Sequence, residues 1–145
     1  LEAYLNDKKI GVLALNEFFI GAVKSYHAAR YTIKVGSKKE MQKSSGILVT
    51  TPIGSYAWAK SCFRKTMPIG SKNFQFVVRE PYENKVFSNY RLKHGILGRN
   101  KKVEIISEML DGIIVADSVG KEIRFPYKSR LSIQLSNNYI KSVMV

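Results

Sequence analysis

Short segments of apolar or alternating residues, each followed by a turn signal, recur along almost the whole chain. Residues 26–35 alternate between apolar and polar side chains, and residues 36–39 (GSKK) then have the composition of a hairpin turn. Further strands are predicted at 46–50, 73–79, 102–109, 113–116, 121–125, 131–135 and 139–143. Several of these are separated by the turn pairs Asp111-Gly112, Val119-Gly120 and Asn137-Asn138. This pattern favours a fold built from antiparallel strands.

Only two segments have helical character. Residues 1–8 resemble the end of a helix. Residues 55–65 combine an N-cap candidate, Ser55, with basic side chains toward the carboxyl end. The sequence therefore predicts a mainly β protein, an antiparallel β-sandwich with one embedded helix, forming one domain over residues 1–145.

Composition limits the classes of partner. Lys and Arg exceed Asp and Glu by 24 to 11, which gives a net charge of +13 and favours polyanions such as nucleotides or nucleic acid. No apolar run approaches the roughly 20 residues of a membrane span, so no membrane partner is expected. Cys62 is the single cysteine and suits a reducing compartment, the cytoplasm or a mitochondrial matrix. Because the chain begins without Met, we expect it to be part of a longer protein.

Asn16 and Glu17 interrupt an otherwise apolar stretch near the beginning of the chain. A buried amide or carboxylate must be hydrogen-bonded, because each one left without a partner would lower the stability of the fold by about 1–3 kcal/mol. The pair is either a strand end at the surface or a site that binds sugar hydroxyls. An amide can donate hydrogen bonds to a sugar diol, and a carboxylate can accept hydrogen bonds from it.

Residues 43–61 (KSSGILVTTPIGSYAWAKS) lead from an apolar strand into a hydroxyl-rich turn and then a helix-like segment. This can be a plain strand-to-helix corner, or an anion or nucleotide site in which backbone N–H groups face the ligand. Tyr56 and Trp58 can stack on a base or belong to the core. His27 and His94 have no neighbours at metal-ligand spacing and are expected to be structural, and Asp117 follows an apolar run as many strand-end aspartates do.

Four segments in this order resemble the carboxyl-terminal domain of NAD kinases, especially the branch that includes the mitochondrial animal enzyme. They are ALNEFFIG (14–21), QKSSGILVTTPIGSYAWAKS (42–61), VVREPYENKVFS (77–88) and VADSVG (115–120). The second contains the family pattern TPxGSxAY, with Trp58 in place of the last tyrosine. The resemblance covers nearly the whole chain and implies a β-sandwich that follows an amino-terminal α/β domain.

The resemblance also implies an activity, the transfer of the γ-phosphoryl group of ATP, with a divalent metal such as Mg²⁺, to the adenosine ribose 2′-hydroxyl of NAD, which gives NADP. It implies homodimers or tetramers that pair through the β domain and complete each other's sites. The positions it matches to dinucleotide contacts are Asn16, Glu17, Ser45, Thr51, Tyr56, Ala57, Trp58 and Ser61. Lys43 would face phosphate, and Asp117 would border the site.

The sequence departs from the family pattern in three ways. Ser45 stands where many members have an acidic residue, although the mitochondrial-type branch shares this feature. Tyr56 replaces a small hydroxylated residue. The GGDG motif, whose aspartate is proposed as general base, occurs nowhere in the chain. Since phosphoryl transfer requires an acceptor for the hydroxyl proton, the 145-residue chain alone is expected to be inactive.

Two other functions fit parts of the sequence. A basic β domain can bind single-stranded nucleic acid through aromatic side chains and surrounding Lys and Arg. Lipid and sphingoid-base kinases share a related two-domain layout, but the Asn-Glu pair beside the TPxGS turn favours a ribose acceptor. The sequence does not distinguish NAD from NADH, or ATP from polyphosphate.

Overall fold

A computed structural model describes residues 1–84 and 89–141 of the chain. The end of the family-like segment 77–88 and the end of the predicted strand 139–143 lie outside the described residues. The described part of that strand, residues 139–141, is not in a strand. No helix within the described ranges has the length and apolar content needed to cross a bilayer.

Two six-stranded sheets contain all the strands of the described residues. Every pairing between neighbouring strands is antiparallel. The first sheet has the order β2-β1-β12-β9-β4-β5 and the second the order β11-β10-β3-β6-β7-β8. The strands are Glu2–Leu5 (β1), Lys8–Lys9 (β2), Glu17–Ala22 (β3), Ala29–Val35 (β4), Lys38–Ser44 (β5), Ile47–Thr50 (β6), Asn73–Val78 (β7), His94–Gly98 (β8), Val103–Ser107 (β9), Gly112–Ala116 (β10), Ile123–Phe125 (β11) and Arg130–Gln134 (β12).

The core lies between the two sheets. Alternate residues of each strand point inward, as the period of two requires, so Phe18 and Ile20 of β3 join Tyr31 and Ile33 of β4 in one buried cluster. Each such side chain contributes roughly 1.5–3 kcal/mol on burial. The predicted antiparallel β-sandwich is therefore confirmed.

A second, smaller apolar layer covers the outer face of the second sheet. Leu48 of β6 and Val77 of β7 point outward and pack with Ala59 of a short helix, α1 (Trp58–Cys62). Because it is covered on both sides, β6 is buried at every residue. The continuous apolar run at 46–50 had predicted this arrangement, which is confirmed.

Both helical predictions need correction. Residues 1–8 form the hairpin of β1 and β2, because Asn6 and Asp7 adopt positive φ angles of 49° and 67° that suit a tight hairpin turn. The segment 55–65 contains only a 3₁₀ turn (Gly54–Tyr56) and α1. Ser55 does not cap a helix, since its hydroxyl donates to the Pro52 carbonyl at 2.6 Å and accepts from the Met67 N–H at 2.8 Å.

Candidate functional site

β3 and β6 are the two central strands of the second sheet, and the beginning of β3 lies beside the end of β6. Glu17 pairs with Thr50 across the two strands. Beyond that pair, the Thr51 N–H donates to the Asn16 carbonyl at 2.9 Å, and the Thr51 hydroxyl donates to the Leu15 carbonyl at 2.6 Å. The polar pair and the hydroxyl-rich turn therefore converge, and we call residues 16, 17, 50, 51 and 54 the corner.

Gly54 permits this convergence. A Cβ atom at this position would lie 2.0 Å from the Asn16 carbonyl oxygen and 2.3 Å from the Thr50 hydroxyl oxygen. Both distances are far shorter than van der Waals contact, about 3.5 Å. The Gly54 N–H also donates to the Thr51 hydroxyl at 3.0 Å. The glycine of the TPxGS pattern is thus required by the close approach of two backbone segments.

Asp117 joins the corner from a third segment, immediately after β10. Its carboxylate accepts the N–H groups of Leu15 at 2.8 Å, Asn16 at 2.6 Å and Glu17 at 3.1 Å. Its own N–H donates to the Glu17 carbonyl at 2.9 Å, and its φ is +54°. Asp117 therefore lies at the corner, where its carboxylate holds the backbone of the Asn-Glu pair.

The two side chains of that pair differ in exposure. Glu17 is only 3% exposed; one carboxylate oxygen accepts from the exposed Ser118 hydroxyl at 3.2 Å, and the other is buried without a partner among the described residues. Burial raises the pKa of Glu17, as does the charge of Asp117, and the Ser118 bond opposes them only in part. Asn16 is partly exposed, and its side-chain amide makes no hydrogen bond to any described residue.

Gln75, which the sequence did not single out, extends this polar row. It lies on β7 opposite Thr50 and is 1% exposed. Neither polar atom of its side chain has a partner within the described part of the chain. A glutamine at a buried position of an apolar strand was the available signal, but the register that places it beside Thr50 could not be read from the sequence.

The residues after Thr51 form the exposed rim of the corner. Tyr56 is 49% exposed, and Ala57 and Ser61 are also exposed. The Ser61 hydroxyl donates to the Trp58 carbonyl at 2.7 Å. Trp58 is half-buried and stacks on Phe19 of β3 with 5.3 Å between ring centroids.

Arg79, the residue after β7, completes an aromatic cluster with Trp58 and Phe19. Its guanidinium carbon lies 4.5 Å from the Trp58 ring centroid and 5.8 Å from that of Phe19. These three residues and Ser45 line a cleft of about 380 Å³ on the outer side of the second sheet. From the sequence, Arg79 is only the last residue of the predicted strand 73–79, because its partner Trp58 is distant along the chain.

Ser45 and Lys43 lie away from the corner. Ser45 precedes β6 and Thr51 follows it, so six residue steps, about 20 Å of extended chain, separate the two residues. Lys43 is on β5 of the first sheet, where its ammonium nitrogen lies 4.6 Å from the Tyr82 ring centroid. Within one chain, the structure brings together Asn16, Glu17, Thr51 and Asp117 but not Lys43.

No group of three or more His, Cys, Asp or Glu side chains suited to a metal ion occurs in the described ranges. His27 pairs with Asp111 at 3.0 Å, and His94 stacks on Phe63 with 4.2 Å between ring centroids.

Comparison with known proteins shows a likeness of fold. No family model matches the sequence, and no curated protein matches it. An NAD kinase from Archaeoglobus fulgidus, solved in complex with ATP, matches with a TM-score of 0.71 and 23% identity over 94% of this chain and 50% of its own. Yeast NADH kinase complexed with NADH matches with a TM-score of 0.77 and 15% identity over 96% of this chain and 41% of its own. The chain thus spans half or less of these kinases and shares their β-sandwich fold.

Proposed function

We propose that this chain is the dinucleotide-binding domain of an NAD(H) kinase, which phosphorylates the adenosine ribose 2′-hydroxyl with ATP to give NADP or its reduced form. One observation carries the proposal: the Asn16–Glu17 pair meets the Thr51–Gly54 turn, and Asp117 fixes their geometry by accepting three backbone N–H groups. The likeness of fold to two NAD(H) kinases supports it.

In this proposal the adenosine lies at the corner. The Asn16 amide is free to bond ribose hydroxyls, and the unpartnered Glu17 oxygen is an acceptor held beneath it. Since that oxygen is buried, a ribose hydroxyl would reach it only after neighbouring side chains moved aside. Thr51 secures the turn, while Tyr56, Ala57, Trp58 and Ser61 form the rim against which the nucleoside packs.

The remaining chemistry is assigned to a preceding α/β domain with the GGDG motif. Phosphoryl transfer requires in-line positioning, charge stabilisation and a proton acceptor close to the attacking hydroxyl. A divalent metal would neutralise phosphate charge when bound, but the described residues offer no cluster to hold it. We therefore propose that ATP and Mg²⁺ bind mainly outside this chain. Assignment to the mitochondrial-type branch rests on the sequence segments alone.

The position of Lys43 supports an oligomer. Lys43 lies on β5 of the first sheet, whereas the corner and the cleft lie on the outer face of the second sheet, so Lys43 does not reach a dinucleotide bound there in the same chain. If Lys43 contacts the dinucleotide as the family resemblance implies, it must come from a second copy. We propose a homodimer or tetramer whose β domains pair.

The proposal is tested by Asn16→Ala in the intact protein. Because the Asn16 side chain contacts no described residue by a hydrogen bond, its loss should leave the melting temperature nearly unchanged. The KM for the dinucleotide should rise by roughly tenfold, the value of one hydrogen bond of about 1.4 kcal/mol. Asn100→Ala, in an exposed turn, is the matched control. Equal KM values in the two variants would contradict the proposal.

A different surface favours a second candidate, the binding of single-stranded nucleic acid. On the outer face of the first sheet, Arg30 lies directly opposite Lys43. Two like charges in such a pair are destabilising unless an anion neutralises them. Exposed tyrosines beside this pair could stack on bases. A steep loss of oligonucleotide affinity with salt, together with no response to dinucleotide, would favour this candidate.

A further inference from the structure

The cleft beside Trp58 lies on the same face as the corner. Glu17 and Phe19 are two residues apart on β3 and both point outward, so they are about 7 Å apart along the strand. This inference rests on the proposed function. If the adenosine of a dinucleotide lies at the corner, the other half can extend along this face, and the cleft lined by Phe19, Trp58 and Arg79 is the aromatic surface that it meets.

Arg79 holds a fixed positive charge at that surface. Its main chain is bonded to the neighbouring strand, with its N–H donating to the Gly46 carbonyl at 2.8 Å. One terminal guanidinium nitrogen donates to the Ser45 carbonyl at 3.3 Å, and Nε is buried without a partner. Within the described ranges, Arg79 forms no ion pair with a carboxylate.

The other charged groups of the cleft do not cancel this charge. Lys24 and His27 also line it, and Glu80 is the acidic residue among the lining side chains. His27 is paired with Asp111 outside the lining. Arg79 and Trp58 line the same cleft, and the guanidinium carbon lies 4.5 Å from the Trp58 ring centroid. A ring that contacts Trp58 from the cleft is therefore next to the guanidinium.

The two redox forms of the dinucleotide differ chiefly in the charge of that ring. The oxidised nicotinamide carries a positive charge, whereas the dihydronicotinamide is neutral and of similar size. We infer that Arg79 is a specificity-determining residue, which makes this cleft favour the reduced dinucleotide, NADH, over NAD. Two unit charges about 6 Å apart repel by an amount equivalent to roughly a three- to thirtyfold difference in affinity in a partly aqueous site.

Trp58 provides a direct readout because it is the single tryptophan of the chain. Dihydronicotinamide absorbs where tryptophan emits, so NADH bound in the cleft should quench Trp58 by energy transfer. The affinities of NADH, NAD and ADP-ribose would be measured by titration calorimetry for wild type, Arg79→Gln and Arg79→Lys. Arg30→Gln removes the same charge from the first sheet and is the matched control. Melting temperatures would show that each variant is folded.

We expect wild type to bind NADH more tightly than NAD, with Trp58 quenched. Arg79→Gln should reduce the NADH-to-NAD affinity ratio about three- to thirtyfold, while Arg79→Lys and Arg30→Gln keep most of it. ADP-ribose, which lacks the ring, should lose no more affinity in Arg79→Gln than NADH does. An unchanged ratio in Arg79→Gln, or NADH binding without quenching of Trp58, would overturn the inference and leave the proposed function standing. Failure of wild type to bind either dinucleotide would overturn both.

Discussion

The two sheets differ in whether the polar side chains on their outer faces have partners. On the first sheet, the carboxylates have partners: that of Glu2 lies 2.8 Å from the Lys9 ammonium, and that of Glu104 lies 2.7 Å from the Lys102 ammonium. On the second sheet, Glu17, Gln75 and Arg79 all carry buried side-chain polar atoms without partners, and no other described side chain does. Each such atom costs about 1–3 kcal/mol. The cost of folding is concentrated on the face where the proposed ligand would bind.

The same contrast appears in the titration of the carboxylates. A hydrogen bond and the charge of Lys102 hold the pKa of Glu104 below its ordinary value, against a smaller effect of burial. Burial raises the pKa of Glu17, and Asp117 adds to the effect. The first sheet therefore favours the ionised form of Glu104, and the second disfavours the ionised form of Glu17. This is expected where a buried carboxylate oxygen has no partner.

The largest effect should come from Gly54→Ala. Its methyl group would collide with the backbone of Asn16, which cannot move without breaking the β3–β6 pairing. We expect a loss of more than about 3 kcal/mol in unfolding free energy, measured by denaturant titration. Gly70→Ala, where a Cβ would meet nothing within 4 Å, is the matched control and should change stability by less than about 0.5 kcal/mol. Similar values for both variants would show that the corner is not tightly packed.

Asp117→Ala should have the next largest effect. It removes the acceptor of three N–H groups and leaves a non-glycine residue at positive φ, so the unfolding free energy should fall by about 2–4 kcal/mol. Asp7→Ala at the edge of the first sheet shares the positive φ but removes only an exposed ion pair with Arg130, so it should cost less than about 1 kcal/mol. A larger loss of unfolding free energy in Asp7→Ala than in Asp117→Ala would contradict the proposed difference between the two sheets.

The sequence predicted the fold more completely than the site. Alternation and turn signals indicated most strands, and the residues around Asn16 and Thr51 were recognised as candidates because polar groups interrupt apolar runs. Residues 1–8 were misassigned because a hairpin of two short strands depends on positive φ at Asn6 and Asp7, which local composition does not reveal. Gln75 and Arg79 were missed because their neighbours are set by strand register and by contacts across distant segments.

Glu17→Gln tests the electrostatic difference through pH. Since the folded pKa of Glu17 is raised, the folded state holds more protons than the unfolded state above about pH 4.3, and stability falls as pH rises through that window. Glu17→Gln has no titrating group at this position and therefore lacks this loss. Wild type should therefore become less stable relative to Glu17→Gln as pH rises.

Glu104→Gln is the matched variant on the first sheet, and its sign is opposite. The folded pKa of Glu104 is lowered, so its contribution to stability is present above the unfolded value and is lost as pH falls. Thermal unfolding of wild type and both variants across this range would measure the two slopes. Slopes of the same sign would remove the electrostatic part of the comparison.

Ser61→Ala should have the smallest effect on folding and separates stability from binding. Ser61 is exposed at the end of α1, and its hydroxyl donates only to the Trp58 carbonyl among the described residues. Its loss should change the unfolding free energy by less than about 0.5 kcal/mol. If Ser61 lies on the rim of a dinucleotide site, the affinity for NADH should fall by roughly two- to tenfold, the value of one neutral hydrogen bond. Ser37→Ala, in the β4–β5 turn of the first sheet, should alter neither quantity. A fall in affinity in both variants would mean that the measured binding does not report on the second sheet at all, because Ser37 lies in the other sheet and has no role in the corner.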